Sequence, residues 1–496
     1  LTLRLRFLLD TNVLIPLQDS LQVLEPNLAN FVRLAGIGGH QLIYHPATVK
    51  DFNRDSNEHR RQKNLQRIAQ YSALDNTVPC PWNNTDTPEN DACDNEILWA
   101  IECDAVHALV TEDRRIHSKA RARGFSDRVY SIQTAEDWLR RLHESRQVTL
   151  PNIQDAPLHS LTPALASTFF DSLRAGYDGF DDWFRRKARE DRRAWVYRDE
   201  NGAPSALCIY TIQDGVEIND AGERLAGQSL KLCTFKVGET VRGRKIGELF
   251  LKAAFQYATG NACENLFIHA NSERHDYLIR LLQDFGFETR GTYKGDAVLV
   301  KAHPRVAPES NVLPPPDYVR RFFPHFRRDS AVQKFIVPIQ PSFHEMLFPD
   351  CRHLFPERSR QLSLFNHTEN IGNAIKLAYL CHAQTNSIKA GDVLLFYRTD
   401  DEKAVTSVGV VDRFEVLEDA AQIASIVRRR TVYSHKEIEK MAGRQTKVIL
   451  FRLVHHLNNL VPYAQLLQER VVKGPIQSIL RVQHDAFSRV LAAGGR

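Results

Sequence analysis

Apolar residues along this chain come in short runs separated by longer amphipathic stretches, and the alternation changes character twice. In residues 1–150, RLRFLL (4–9) predicts a buried strand ending at Asp10, and the stretch 13–36 is mostly helical after Pro16. QLIYH (41–45) is a second strand, leading through Pro46 into a helix near Thr48 with Asp51 in its first turns. A basic helix is expected over 58–72, polar loop over 76–93, and a helix over DNEILWAIECDA (94–105) with Asp94 near its start. ALVTED (108–113) is a strand reaching Thr111 and Asp113, and RVYSI (128–132) another. Strands that alternate with helices predict a parallel sheet covered on both faces.

The middle region, 151–303, breaks that alternation. Amphipathic helices are predicted over 161–173 and 180–191, followed by a hairpin over 193–212 that turns at Asn201-Gly202. A strand LKLCTFKV (230–237) runs through a loop, VRGRKIG (241–247), into a helix over 248–258. Strand LFIHA (266–270), a helix over 275–288 and strand DAVLVKA (296–302) complete it. The order is that of a mixed α+β domain. Residues 304–332 begin Pro-rich, as a semi-rigid spacer does, and continue into a basic and aromatic cluster from Arg320 to Arg328. That cluster reads either as a helix anchoring the next domain or as a nucleic-acid contact. In 333–496, strands are expected over 334–340, 391–400, 405–417 and 446–455, with helices over 370–381 and 435–442, which predicts a small, partly open barrel.

At 496 residues the chain is long for one core, and it reads as an α/β multidomain protein. Its 43% hydrophobic and 25% charged content is that of an ordinary globular chain. Its net charge of +5 is too mild to name a partner. No apolar run approaches a membrane span of about 20 residues, and no secretory pattern opens the sequence. The eight cysteines are scattered with no CxxC pair, which argues against a zinc site or disulfide framework and for a cytoplasmic setting. Leu1 fits either a non-standard start or a chain whose first residues lie upstream.

Two places carry candidate chemistry. Asp10 and Asp113 follow apolar strands of one parallel sheet, so both face the crevice at the strands' carboxyl ends, where Asp94 and Asp51 can join them. Such carboxylates suit Mg²⁺ or Mn²⁺; singly, each is as well explained as a helix cap or turn residue. The second place is the loop at 241–247. Arg242, Gly243 and Gly247 would turn a strand into a helix N-terminus, where free N–H groups and the helix dipole favour a pyrophosphate.

The motifs DTNVL (10–14), Asp51 after Val49, DNEIL (94–98) and VTED (110–113) resemble the PIN nuclease domain over about 5–140. That resemblance implies a ribonuclease with Asp10, Asp51, Asp94 and Asp113 as its acid set, Asn12 and Thr111 as supports, and metal at Asp10, Asp94 and Asp113. The second acid of that family is usually Glu. The resemblance also implies an inhibitory partner protein and pairing of copies. Residues 155–303, with RGRKIG (242–247), resemble the GNAT acetyltransferases. Acetyl-CoA is thereby implied, held by backbone N–H groups of Val237, Val241, Arg242, Gly243, Arg244, Lys245, Ile246 and Gly247. Lys245 stands where that family has its second Gly, which calls for helical backbone and a side chain turned to phosphate. His275 replaces the usual Asn, and Leu282 the Tyr that protonates the leaving thiolate. His269 and Glu239 are candidate bases. GDVLLFYR (391–398) followed by SVGVV resembles PUA-like domains of the ASCH type over about 333–490, which implies RNA or modified-base binding. Arg428, Arg429, Arg430 and Tyr433 there form either a solvated charged face or an RNA contact.

The expected domains are therefore a PIN-like nuclease (1–150), a GNAT domain (151–303), a linker (304–332) and a PUA-like domain (333–496). The expected function is an RNA-acting protein that joins a ribonuclease to an acetyltransferase. The alternatives are an N-acetyltransferase delivered by its flanking domains, and a non-catalytic regulator that binds acetyl-CoA and RNA.

Overall fold

The computed structural model describes residues 3–17, 25–53, 56–75, 77–84, 87–144, 153–199, 201–238, 241, 245–272, 274–310, 312–354 and 373–495. The chain divides into two compact units. One comprises Leu1–Gln147, Leu380–His382 and Val416–Val448; the other comprises Val148–Tyr379, Ala383–Glu415 and Ile449–Arg496.

The first unit contains a five-stranded sheet of β1 (Arg6–Leu9), β2 (Gln41–Tyr44), β3 (Ser72–Ala73), β4 (Ala108–Val110) and β5 (Val129–Tyr130). Its order is β3-β2-β1-β4-β5 and every pairing is parallel, as the strand–helix alternation requires. The central strands β1 and β4 are short, buried apolar runs, β1 closed by Asp10 and β4 by Thr111. Phe7, Leu8, Leu9, Leu109 and Val110 are all inaccessible. Trp138 of helix Ile132–His143 stacks on Tyr130 and meets Phe7 edge-on. The helix expected from Asp94 begins earlier, at Glu89 directly after Pro88, so Asp94 lies inside it rather than at its start. The same unit includes helix Ala420–Val427, capped by Asp419, and helix His435–Met441, which has a Ser434/Glu437 capping box.

The second unit holds one sheet and the greater part of another. β6 (Ile153–Pro157), β7 (Arg193–Arg198), β8 (Pro204–Asp214), β9 (Gln228–Val237), β10 (Asn265–Ala270), β11 (Glu288–Tyr293) and β12 (Asp296–Ala302) form a mixed sheet in the order β11-β12-β10-β9-β8-β7-β6. β13 (Lys334–Ile339), β14 (Lys376–Cys381), β15 (Val393–Arg398), β16 (Ala404–Leu417), β17 (Thr446–Pro462) and β18 (Leu480–Val482) form the other, in the order β14-β17-β16-β15-β13-β18. One apolar cluster runs from Ile153 through Phe250, Phe285, Phe323 and Leu395 to Leu491, so this unit is built on a shared core.

Three expectations change here. The stretch 161–173 is not one helix but 3₁₀ turns at Leu158–Ala164 and Thr168–Phe170 followed by the short helix Asp171–Arg174. Within the helix expected over 370–381, Lys376–Cys381 is instead strand β14; its run of six residues is too short for periodicity to separate helix from strand. In the 304–332 segment, Tyr318, Val319, Phe323 and Phe326 are buried. Buried Lys301 donates to the carbonyls of Arg320 (3.2 Å) and Arg321 (2.6 Å). Gly286, with φ of 83°, sits so close to the Arg320 carbonyl that a side chain could not be accommodated.

Candidate active site

β9 and β10 run parallel, paired from Ser229↔Asn265 to Leu232↔Ile268. Beyond that point β9 continues to Val237, paired on its other side with β8 as far as Ala206. A bulge at Cys233 of β9, opposite Ile209 and Tyr210 of β8, sharpens the local twist where the two parallel strands part. The result is a wedge with one backbone edge of β9 facing it, beside the start of helix Ile246–Gly260. The helix's first N–H groups lack intrahelical partners and carry the positive end of its dipole. Gly247 is small for a steric reason: a Cβ there would lie 2.8 Å from Leu281 Cδ2 and 3.6 Å from the Phe235 ring.

Of the loop residues named from sequence, Val237 is half-buried at the end of β9 and Val241 is buried in the core. Ile246 opens the helix. Arg242, Gly243, Arg244 and the candidate base Glu239 lie outside the described residues. Lys245 departs from expectation. Its backbone is left-handed (φ 57°, ψ 20°), not helical, and its ammonium donates to the carbonyl of Lys376 at 3.0 Å rather than being turned to a phosphate. That conformation costs a non-glycine residue roughly 1–2 kcal/mol.

On the opposite side of the wedge, His269 lies near the end of β10. It stacks on Tyr293 with centroids 4.7 Å apart, and its Nε2 lies 3.0 Å from the Ile218 carbonyl. That bond places the proton on Nε2 and leaves the Nδ1 lone pair as the basic position. Burial lowers its pKa to about 4, so the ring is neutral at pH 7. His275, just ahead of helix Asp276–Asp284, is likewise lowered by burial, with Asp296, Arg274 and Lys236 in electrostatic reach. Tyr177 joins this group: burial raises its pKa, and Asp296 and Arg274 act on it. Tyr177, Arg274 and Asp296 carried no signal in the sequence, because two loops and the first residue of β12, far apart in the chain, bring them together. Leu282 is 0% exposed in the core and supplies packing, not a proton.

The carboxylates of the first unit form a second constellation. Asp10, 6% exposed, accepts from Thr11 N (2.7 Å), Asn12 Nδ2 (2.9 Å) and Thr111 Oγ1 (2.5 Å). Burial, opposed by these bonds and reinforced by Asp94 and Asp113, raises its pKa to about 6. Asp94, 9% exposed, is also raised by burial, and it accepts from Lys119 Nζ at 3.0 Å. The same ammonium lies 2.8 Å from Asp91. Asp113 caps helix Arg114–Ala122 by accepting from Arg115 N at 2.7 Å, the ordinary structural role of an Asp at such a place. The side chain of Asp51 lies outside the described residues. Among the described residues, no group of three or more His, Cys, Asp or Glu side chains is disposed to hold a metal ion. The Lys119 ammonium, rather than another carboxylate, is the described partner of Asp94.

The residues singled out as an RNA contact are mostly engaged. Arg428 pairs with Asp127 and donates to the Ser425 carbonyl. Tyr433 is 2% exposed, with its hydroxyl between the N–H and carbonyl of Leu380 at 3.2 and 3.3 Å. Its ring face is not open for a base to stack on. Arg430 is half-buried beside it in the same 3₁₀ turn as Arg428, and the Arg429 side chain lies outside the described residues. No described helix is long and apolar enough to cross a membrane.

The family model described as the acetyltransferase (GNAT) family matches residues 158–287. The chain thus carries an acetyltransferase domain of that family, whose cofactor is acetyl-CoA, and the match spans the wedge between β9 and β10. No curated relative matches the chain. Among solved structures, the ASCH protein from Zymomonas mobilis is similar at 12% identity, over 32% of this chain and 94% of that one, with a TM-score of 0.25. Tetrahymena GCN5 is similar at 14% identity, over 30% of this chain and 89% of that one, with a TM-score of 0.23.

Proposed function

We propose that the chain transfers the acetyl group of acetyl-CoA to a primary amine that enters beside Tyr177, Arg274, His275 and Asp296. The observation that carries this reading is the parting of β9 from β10 next to the start of helix Ile246–Gly260. An extended pantetheine arm can hydrogen-bond along the open edge of β9 as an added strand would. The pyrophosphate then meets the helix N-terminus. Asp296 favours approach of a cationic amine, and a neutral His275 or His269 can take the proton that the amine must lose to attack the thioester carbonyl. The C–N bond forms, the C–S bond breaks, and coenzyme A leaves as the thiolate. With Leu282 in place of a phenol, the domain supplies no proton to that thiolate from this position, and rate comes from holding the reactants together.

Transfer of label from acetyl-CoA to a panel of amines and lysine peptides tests the reading. Transfer by the wild type that is lost in Arg242→Glu supports it. Its absence with every acceptor, together with no binding of acetyl-CoA, overturns it.

A second reading, RNA phosphodiester cleavage by the first unit, is favoured by one observation. Asp10, Asp94 and Asp113, distant in sequence, come within electrostatic reach of one another. Incubating a mixed RNA pool with wild type and Asp94→Asn, with and without Mn²⁺, decides it. Cleavage by the wild type alone supports a nuclease, and cleavage by neither retires it.

A further inference from the structure

Helix Ile246–Gly260 has a polar stripe that its amphipathic pattern does not require. Lys245, Glu248 and Lys252 follow at intervals of three and four and so share one face. All three are engaged by the C-terminal part of the same unit. Lys245 Nζ donates to the Lys376 carbonyl (3.0 Å), and Glu248 Oε1 accepts from the Lys376 N–H (2.5 Å). Lys252 Nζ donates to Asp350 (2.6 Å) and to the Asn373 carbonyl (3.1 Å). The Lys376 ammonium pairs with Asp284, at the end of helix Asp276–Asp284. Lys376, the first residue of β14, therefore touches both helices that border the wedge.

We infer that Lys245 is a positioning residue rather than a phosphate ligand, and that β14 sets the first turn of helix Ile246–Gly260 through it. Lys245 stands directly before the helix, and its left-handed backbone directs the chain into it. A glycine would hold that conformation without strain but could not reach Lys376. The strained lysine is explained if its side chain is needed for the tether. Locking the first turn of the helix orders the N–H groups before the cofactor arrives, which lowers the entropy lost on binding. This inference rests on the acetyl-CoA reading above.

The test is calorimetric titration of acetyl-CoA into the full-length wild type, Lys245→Met, Lys245→Gly, Glu248→Ala and the Lys245→Met/Glu248→Ala double variant. Each single variant is expected to bind about five- to tenfold more weakly, the effect of losing one hydrogen bond. The double variant is expected to lose less than the product of the two losses, because both act on one joint. Lys245→Gly relieves the backbone strain, so its melting temperature should be no lower than that of the wild type even as its affinity falls. Acetyl-pantetheine, which lacks the pyrophosphate, should compete equally well in all variants. Weakening in Lys245→Met that Glu248→Ala does not share makes Lys245 a phosphate ligand and overturns the inference, as does unchanged affinity in both Lys245 variants. Equal loss for acetyl-pantetheine overturns it too, by assigning the residues to general stability. If the wild type itself binds no acetyl-CoA, the proposed function is what fails.

Discussion

Lys252 and Asp350 form an ion pair at 2.6 Å with each side chain about nine-tenths buried. Lys252 Nζ and His456 together hold the Asp350 carboxyl well below its ordinary range against the opposing effect of burial. Removing one partner of such a pair leaves an uncompensated charge inside the protein. Lys252→Met is expected to destabilise the second unit by about 3–5 kcal/mol, measured by urea denaturation. Lys252→Met/Asp350→Leu should recover most of that loss.

Asp10 gives the first unit a pH dependence of known sign. Its pKa is raised from 3.8 to about 6, so between these values the folded state binds more protons than the unfolded state. Stability contributed by the protonated form is present below pH 4 and lost as pH rises through 6. Roughly two pKa units correspond to about 3 kcal/mol. Asp10→Asn should therefore be more stable than the wild type at pH 7, and the difference should shrink towards pH 4. Denaturation curves at both values check this.

A histidine pair in the same unit acts in the opposite direction. His40 Nδ1 accepts from Leu5 N at 3.1 Å, so His40 carries its proton on Nε2 and donates it to His143 Nε2 at 2.8 Å. His435 lies beside both rings, with Glu439 next to it, and His107 acts on His40 from its far side. Burial lowers His40 to about 3 and His143 to about 4. The unfolded state gains protons first as pH falls below 6.5, so stability from this pair is lost between pH 6.5 and 4. His143→Gln should flatten thermal stability across that range. An unchanged slope in this variant would contradict the assignment.

Gly247→Val places a branched side chain where Leu281 already lies. The strain should displace the first turn of helix Ile246–Gly260, and acetyl-CoA affinity should fall at least about tenfold, more than one lost hydrogen bond accounts for. Titration calorimetry measures this directly. Gly260→Ala, at the open far end of the same helix, is the control that should bind normally.

Local pattern determined much of this protein. The alternation of apolar runs and helices predicted a parallel sheet and four of its five strands, and missed only β3, whose two residues, Ser72 and Ala73, carry no apolar run. The strands at 193–212, 230–237, 266–270 and 296–302 and the start of the helix near 246 were legible too, since a strand-to-helix transition is local in sequence. Tertiary structure decided the rest. It made Lys376–Cys381 a strand, because a partner strand and not periodicity selects between two buried conformations. It paired Asp94 with Lys119, buried Tyr433, and brought the Lys245 ammonium to the Lys376 carbonyl. Each of these depends on groups far away in the chain, and the energy of a charge or a buried hydroxyl is set by its neighbours in space, which spacing along the sequence does not encode.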